Sequence, residues 1–310
     1  MISFAYWEPV IIISMLNVIL VSGLYITAMS GQLSMATAAI AGVGGYTAAV
    51  LTTNFDWPFL PAILAGAAGG MATGGLLALV TLKMRDFILK LTTLAFGEAL
   101  AVVAYNIDYL GGANSFSGIP LLTDLPTVLI GVAVALYIAW RFDGSRLGFA
   151  ARAVRDDPLA AAATGVSVRE ARIVTFALGA AIVGMGGALQ AHYVLVINPS
   201  DLGFFVSLNY IIFLLFGGLY GLWGPVLAAI ILTAAPELLR FTNEYRLIFY
   251  GLMIVLVVLL RPEGLITRAP SGAGCKLFGI TLVRPRRAIA RADYPFERAT
   301  AGPTDRHASL

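Results

Sequence analysis

Long stretches without any charged residue are the feature that most limits how this 310-residue chain can fold. No Asp, Glu, Lys or Arg lies between Glu8 and Asp56, and three further runs are also uncharged: 57–82, 173–200 and 202–236. A charge-free apolar run of about 18 or more residues is typical of a transmembrane helix. Four such runs cannot form one soluble core. We therefore predict an all-α fold, a polytopic transmembrane helical bundle.

The apolar runs predict about nine crossings, and eight to ten fit the pattern. The expected spans are 9–29, 32–53, 58–82, 88–106, 125–140, 173–194, two within 202–236, and 247–260. Two short helices are favoured in 202–236 because a Gly/Pro cluster at 217–225 suits a tight turn. One long helix is the alternative, and it would put the tail on the opposite side of the membrane. Glycines at 42–45 suggest that the second span is broken or re-entrant.

The positive charges predict which loops face the cytoplasm. All 20 Lys and Arg residues follow position 82, and most lie in three groups: 83–90, 141–172 and the tail from Arg261 onward. Short loops rich in Lys and Arg stay in the cytoplasm. The loop 107–124 contains two Asp residues and no positive charge. We therefore expect 141–172 and the tail inside, and 107–124 outside.

Polar residues within the spans are candidates for a translocation path. Glu98 is the only carboxylate well inside a span, and a carboxylate at that depth usually faces a cavity or a partner. The alternative is a structural hydrogen bond to a backbone or a neighbouring helix. Weaker candidates of the same kind are Thr92, Thr93, Asn17, Gln32, Ser34 and Asn209. His192 has no second ligand at metal-binding spacing, so we interpret it as a satisfied core histidine and expect no metal or cofactor.

Small residues recur at helical spacing in the third predicted span. Gly66, Gly70 and Gly74 stand four residues apart, and Ala180 and Gly184 repeat the pattern later. Such a stripe lets a neighbouring helix backbone approach closely. It favours packing within the bundle, while a face lining the transport path is the alternative.

The loop 141–172 has a helical pattern of its own. Residues 146–156 predict one helix, and Asp157, Pro158 and Gly165 then fit the N-cap, first position and C-terminal stop of a second. A helix this short is not stable alone, so we expect it to need a surface to pack on. The segment resembles the cytoplasmic loop of LivM-type permeases of branched-chain amino-acid ABC transporters, where such a helix docks into the ATPase subunit. Seven residues match that loop, and the resemblance implies that they couple transport to the ATPase. They are Arg152, Arg155, Asp156, Asp157, Ala161, Ala162 and Gly165.

Further blocks resemble the same family in the same order. They are 31–51, 91–100, 111–120, 217–229 and 259–265. The resemblance implies a bacterial inner-membrane permease subunit that works with two ATP-binding subunits, a second related permease and an extracytoplasmic substrate-binding protein. It also implies a small-molecule substrate, contact with lipid and no nucleic acid. Branched-chain amino acids are the expected substrate, with urea or other amino acids as alternatives.

The chain itself is not expected to hydrolyse ATP. A P-loop requires lysine after glycine, and none of the three lysines follows one. A stand-alone ion-coupled transporter is the alternative of a different class, but it would usually carry more intramembrane charges than Glu98. We expect a permease domain over 1–265 and a basic cytoplasmic tail over 266–310, without fixed structure or lying on the anionic inner leaflet.

Overall fold

The computed structural model describes residues 4–84 and 86–238, the single residues Gly251 and Val255, and three short strands further on. Contacts divide the chain into two units, 1–267 and 268–310. The strands are β3 (Ile266–Arg268), β4 (Cys275–Leu277) and β5 (Ile280–Thr281), and β4 pairs with β5 in antiparallel register. Most of the predicted tail, 266–310, and the predicted span 247–260 lie outside the described residues.

Ten α-helices make up the described part of the first unit. They are α1 (Phe4–Met29), α2 (Thr37–Asn54), α3 (Phe59–Thr81), α4 (Asp86–Asn106), α5 (Leu125–Asp143), α6 (Arg146–Asp156), α7 (Pro158–Ala163), α8 (Val168–Val194), α9 (Phe204–Gly217) and α10 (Trp223–Leu238). Three 3₁₀ turns accompany them at Asp108–Leu110, Gly112–Asn114 and Pro199–Leu202. Two antiparallel strands, β1 (Phe116–Ser117) and β2 (Val196–Ile197), connect two loops.

Five of these helices are long and apolar enough to cross a membrane: α1, α3, α4, α5 and α8. The helices α2, α9 and α10 coincide with three further predicted spans. Two separate helices, α9 and α10, occupy the run 202–236, so the two-helix prediction is confirmed and the single long helix is excluded. The turn between them lies in the predicted glycine cluster, where Gly218 has φ +99°.

Helix α8 lies at the centre of the bundle, against α1, α2 and α3. The most apolar stretches of α1 and α8 are 72% and 67% buried, whereas those of α3, α4 and α5 are only 33%, 28% and 28% buried. The outer helices therefore turn wide apolar faces outward. In a membrane protein such faces contact lipid or another membrane subunit, since lipid tails are as apolar as leucine.

Glycines allow the backbones of the central helices to approach one another closely. A Cβ on Gly184 of α8 would lie 2.6 Å from the Gly66 carbonyl oxygen, and one on Gly70 would lie 2.6 Å from the Ala180 oxygen. The Gly66, Gly70, Gly74 stripe thus packs against the backbone of α8, and the helix-packing interpretation is confirmed.

The prediction of a break at glycines 42–45 is wrong. Helix α2 runs without interruption through them. The missing side chains of Gly44 and Gly45 admit α8 instead: a Cβ on Gly44 would lie 2.5 Å from the Gly184 Cα. The irregular backbone instead precedes α2, at residues 30–36. Close approach of two helices, and not a turn, is what these glycines provide.

The two loops whose charges predict the topology, 141–172 and 107–124, lie at opposite ends of α8. The 141–172 loop includes the first turn of α8. At the other end, β1 of the 107–124 loop pairs with β2, which lies just beyond the last residue of α8. A helix of 27 residues is about 40 Å long, enough to cross a bilayer. The arrangement agrees with the predicted placement of the two loops on opposite sides.

Candidate coupling loop and translocation path

The loop between α5 and α8 is two capped helices. The Ser145 hydroxyl accepts a hydrogen bond from the Gly148 amide at 3.1 Å and caps α6. The Asp157 carboxylate accepts from the amides of Leu159 (2.9 Å) and Ala160 (3.1 Å) and caps α7. Both helices and the Asp157 cap are confirmed as predicted.

Helix α7 ends in the way that its glycine predicts. Gly165 has φ +85°, a conformation that glycine adopts without a Cβ penalty. Its amide donates to the Ala162 carbonyl at 3.0 Å, and the Val166 amide donates to the Ala161 carbonyl at 3.1 Å. This pair of bonds is a Schellman motif, which satisfies carbonyls at the helix end.

The loop has a small apolar core within this chain. Val154 of α6, Ala161 of α7 and Ala171 of α8 are buried together, with Val166 and Val168 packed against them. The surface that α7 was expected to need is thus supplied in part by α6 and α8 of the same chain. On its outward side Ala162 is exposed, and Leu159 is 83% exposed. Leu159 was not among the predicted site residues.

Both predicted coupling arginines bind groups inside the chain. Arg152 forms an ion pair with Asp143, and it donates a second bond to the Asp143 carbonyl at 2.9 Å. The Tyr25 hydroxyl of α1 donates to the same carboxylate at 3.0 Å. Arg155 donates to the Leu219 carbonyl at 3.2 Å. Of the charged residues in the predicted coupling set, Asp156 and Asp157 are the exposed ones.

Three predicted path residues meet at the break between α1 and α2. The Thr93 hydroxyl accepts from the Met35 amide at 3.0 Å, and the Ser34 hydroxyl accepts from the Ala36 amide at 3.1 Å. Gln32 is 1% exposed; its oxygen accepts from the Ser30 hydroxyl, and its Nε2 has no partner among the described residues. Protein groups thus cover irregular backbone, which is a condition for its presence at membrane depth.

Ser207 of α9 forms a hydrogen bond just after this break, although the sequence analysis did not select it. Its hydroxyl accepts from the Ala38 amide at 3.0 Å, in the first turn of α2. No local pattern indicates this contact, because the two residues are 169 positions apart.

Glu98 connects α4 to the start of α9. Its Oε1 accepts a hydrogen bond from the Phe204 amide at 2.7 Å, and the residue is exposed. This is the backbone hydrogen bond that the structural alternative for Glu98 requires. It does not exclude a second role, because a carboxylate has further acceptor sites.

The remaining candidates are dispersed. Asn17 donates to the Thr233 hydroxyl at 2.9 Å, linking α1 to α10, and Thr92 contacts the Met84 sulfur at 3.2 Å. Asn209 donates to the Phe205 carbonyl of its own helix at 3.2 Å. His192 is fully buried, with its ring nitrogens 3.0 Å from the Thr52 hydroxyl and 2.8 Å from the Ala188 carbonyl. The interpretation of a satisfied histidine is confirmed.

A cavity of about 220 Å³ lies between α2, α8, α9 and the 196–202 segment. Its α2 wall is small, with Ala38, Ala41, Gly42 and Gly45. The other walls carry aliphatic side chains and the polar residues Gln190, Asp201 and Tyr210. The space is mostly apolar with a few polar groups, as is usual for small-molecule sites. In the described part of the chain, no group of three or more His, Cys, Asp or Glu residues could hold a metal ion.

Apolar helices around a glycine-packed centre, with a folded loop at one end and a cavity toward the other, are the features of a multi-pass membrane protein. Residues 7–258 match the family model described as branched-chain amino acid transport system / permease component, and the chain belongs to this family.

Its relatives include LivM, the high-affinity branched-chain amino acid transport system permease protein of Escherichia coli K12. That protein is 27% identical, over 82% of this chain and 68% of its own length. LivH of Salmonella typhimurium is 28% identical over 46% of this chain and 45% of its own. BraD of Pseudomonas aeruginosa is 28% identical over 52% and 53%. No solved structure matches the chain significantly. The predicted LivM-type resemblance is confirmed.

Proposed function

We propose that this chain is the transmembrane permease subunit of an ATP-driven importer of branched-chain amino acids. The family match over residues 7–258 carries the proposal. The names of LivM, LivH and BraD support the substrate class, since each is a branched-chain amino acid transport permease.

The importer would contain several other proteins. Two kinds of related permease, LivM and LivH, occur among the relatives, which supports pairing of this chain with a second, related permease. Two ATP-binding subunits would supply the energy, and an extracytoplasmic binding protein would deliver the substrate. The membrane would be the bacterial inner membrane, with the tail and the 141–172 loop in the cytoplasm, as the positive charges suggest.

The cavity beside α2 is the proposed substrate-contacting part of the path. By comparison with about 30 Å³ per water molecule, its roughly 220 Å³ suits a molecule of several non-hydrogen atoms. Its aliphatic walls suit a branched side chain, and Asp201 is placed to attract an ammonium group. Glu98 would hold the adjoining Phe204 backbone in position from α4.

The exposed face of α7 is the proposed docking surface for the ATPase. Leu159 and Ala162 form an exposed apolar surface, and the Asp156 carboxylate lies at the edge of that surface. Charged residues are depleted from the cores of protein interfaces, so a new carboxylate here should weaken docking.

The experiment is co-purification of the ATPase subunits with the permease. We expect Ala162→Glu and Leu159→Glu to reduce the bound ATPase strongly, and Asp157→Ala to have little effect, since losing an N-cap costs only about 1 kcal/mol. Ala113→Glu, on an exposed alanine of the 107–124 loop, is the matched control. Full ATPase recovery with Ala162→Glu, in a permease that is folded in the membrane, would refute α7 as the docking element.

A further inference from the structure

Arg155 lies where the cytoplasmic loop meets two interruptions of the transmembrane helices. One is Gly31, at the start of the break between α1 and α2, and the other is the turn 218–222 between α9 and α10. The Arg155 side chain is only 16% exposed. An arginine meant to reach a separate subunit would not be expected to point into its own chain in this way.

The guanidinium group contacts the α9–α10 turn through one nitrogen and through its face. One terminal nitrogen donates to the Leu219 carbonyl at 3.2 Å, and the group lies over the Tyr220 ring, 5.0 Å from the ring centre. Its Nε faces the Asp156 carboxylate at 3.4 Å. Lysine could not make all three contacts, because only guanidinium is planar, with donors directed along several edges.

The contact with the α1–α2 break uses the aliphatic stem. Gly31 has φ +81°, and a Cβ built there would lie 3.4 Å from the Arg155 Cγ and 3.6 Å from its Cα. The stem thus packs directly on Gly31, two residues beyond the last residue of α1. A displacement of α6 along this line would press on the break or release it.

Each interruption adjoins a helix that lines the cavity of the proposed path. The break contains Gln32 and Ser34, and α2, which follows it, forms the small wall of the cavity. The turn 218–222 ends α9, whose Tyr210 lines the cavity and whose Ser207 holds the start of α2. Arg155 therefore contacts the segment that leads into α2 and the turn that follows α9, and both helices border one cavity.

Arg152 fixes the same helix at another point. Its ion pair with Asp143, itself bonded to Tyr25, fastens α6 to the ends of α5 and α1. Arg152 and Arg155 thus attach α6 to the bundle at two points, and the one at Arg155 reaches the interruptions beside the path.

We propose that Arg155 is a positioning residue that transmits motion of the coupling loop to the α1–α2 break and the α9–α10 turn, and that it does not contact the ATPase. This inference rests on the proposed function. It assigns to Arg155 a role in coupling that is distinct from docking, so the two roles predict different phenotypes.

The test compares Arg155→Met, which keeps much of the stem and loses the guanidinium, with Arg155→Lys in the full transporter reconstituted with its ATPase subunits and binding protein. Arg141→Met, at an exposed arginine near the end of α5, is the matched control. We expect Arg155→Met to retain ATPase co-purification and basal hydrolysis. Substrate-stimulated hydrolysis and uptake should fall at least about fivefold, within the usual range of coupling between sites. Arg155→Lys should recover part of the loss, and Arg141→Met should resemble the wild type.

Tyr220→Leu keeps the proposal testable if Arg155→Met is poorly folded. It removes the ring under the guanidinium, so it should reduce stimulated hydrolysis in the same direction, and the double variant should show a non-additive loss. Loss of bound ATPase in parallel with uptake in Arg155→Met would overturn the proposal, as would unchanged stimulation in both single variants. A wild-type complex without ATP-dependent uptake would instead contradict the proposed function.

Discussion

Gly187 of α8 is the position at which one methyl group should disturb the bundle most. A Cβ there would lie 1.9 Å from the Ala41 carbonyl oxygen and 2.5 Å from its carbonyl carbon, in the backbone of α2. Ordinary contact begins at 3.4 Å, so α2 and α8 would have to move apart by about 1.5 Å. No side-chain rotation can relieve this overlap, because the atoms that it meets belong to the main chain.

Two opposing contributions determine how Gly187→Ala changes the free energy of unfolding. Overpacking of a close-packed interior usually costs about 1–3 kcal/mol, and a backbone obstacle favours the upper end of that range. Alanine recovers up to about 1 kcal/mol over glycine in helix propensity. The net expectation for Gly187→Ala is a destabilisation of about 1–2 kcal/mol.

The assay is the apparent melting temperature of the purified permease in detergent. Gly75→Ala is the matched control, because its Cβ would meet only the Ala177 methyl, at 4.0 Å. We expect Gly187→Ala to melt several degrees lower, by about 2–4 °C per kcal/mol, and Gly75→Ala to equal or exceed the wild type. Equal melting temperatures for the two variants would refute the close approach of α2 and α8.

Two further predictions concern topology and Glu98. After replacement of Cys275, a membrane-impermeant maleimide should label Ala113→Cys in intact cells, and Ala153→Cys, at an exposed position of α6, only in opened cells; labelling of both from one side would contradict the topology. Glu98→Gln keeps an oxygen for the Phe204 amide but loses the charge, so uptake should fall while the melting temperature stays constant, whereas Glu98→Ala should lower both. Normal uptake with Glu98→Gln would restrict Glu98 to its structural hydrogen bond.

Local patterns predicted the features that depend on neighbours in sequence. The caps of α7 are such a case, because Asp157 and Gly165 act on amides and carbonyls within four residues of themselves. The separation of α9 from α10 is another, since the four glycines at the turn lie within residues 217–224. The Gly66 stripe also has a local period, although the helix that packs on it could not be identified from that period.

Features that depend on distant partners could not be predicted. Arg155 bonds to a carbonyl 64 positions away, a contact that neither its charge nor the resemblance of the loop to LivM-type permeases indicates. Glycines 42–45 were interpreted as a break because sequence does not distinguish a turn from the close approach of another helix. The boundary between the first two spans was predicted at 29–32, but the irregular segment extends to residue 36, because Thr93 of α4 bonds within it and Ser207 of α9 bonds to the first turn of α2.

Uptake by the reconstituted transporter tests the central claim most directly. Proteoliposomes containing this chain, a related permease, the ATP-binding subunits and the binding protein would be assayed for labelled leucine with ATP at the ATPase side. The account predicts leucine accumulation that requires ATP and the ATPase subunits, and that isoleucine and valine inhibit by competition. Accumulation driven by an ion gradient in liposomes containing this chain alone would contradict it.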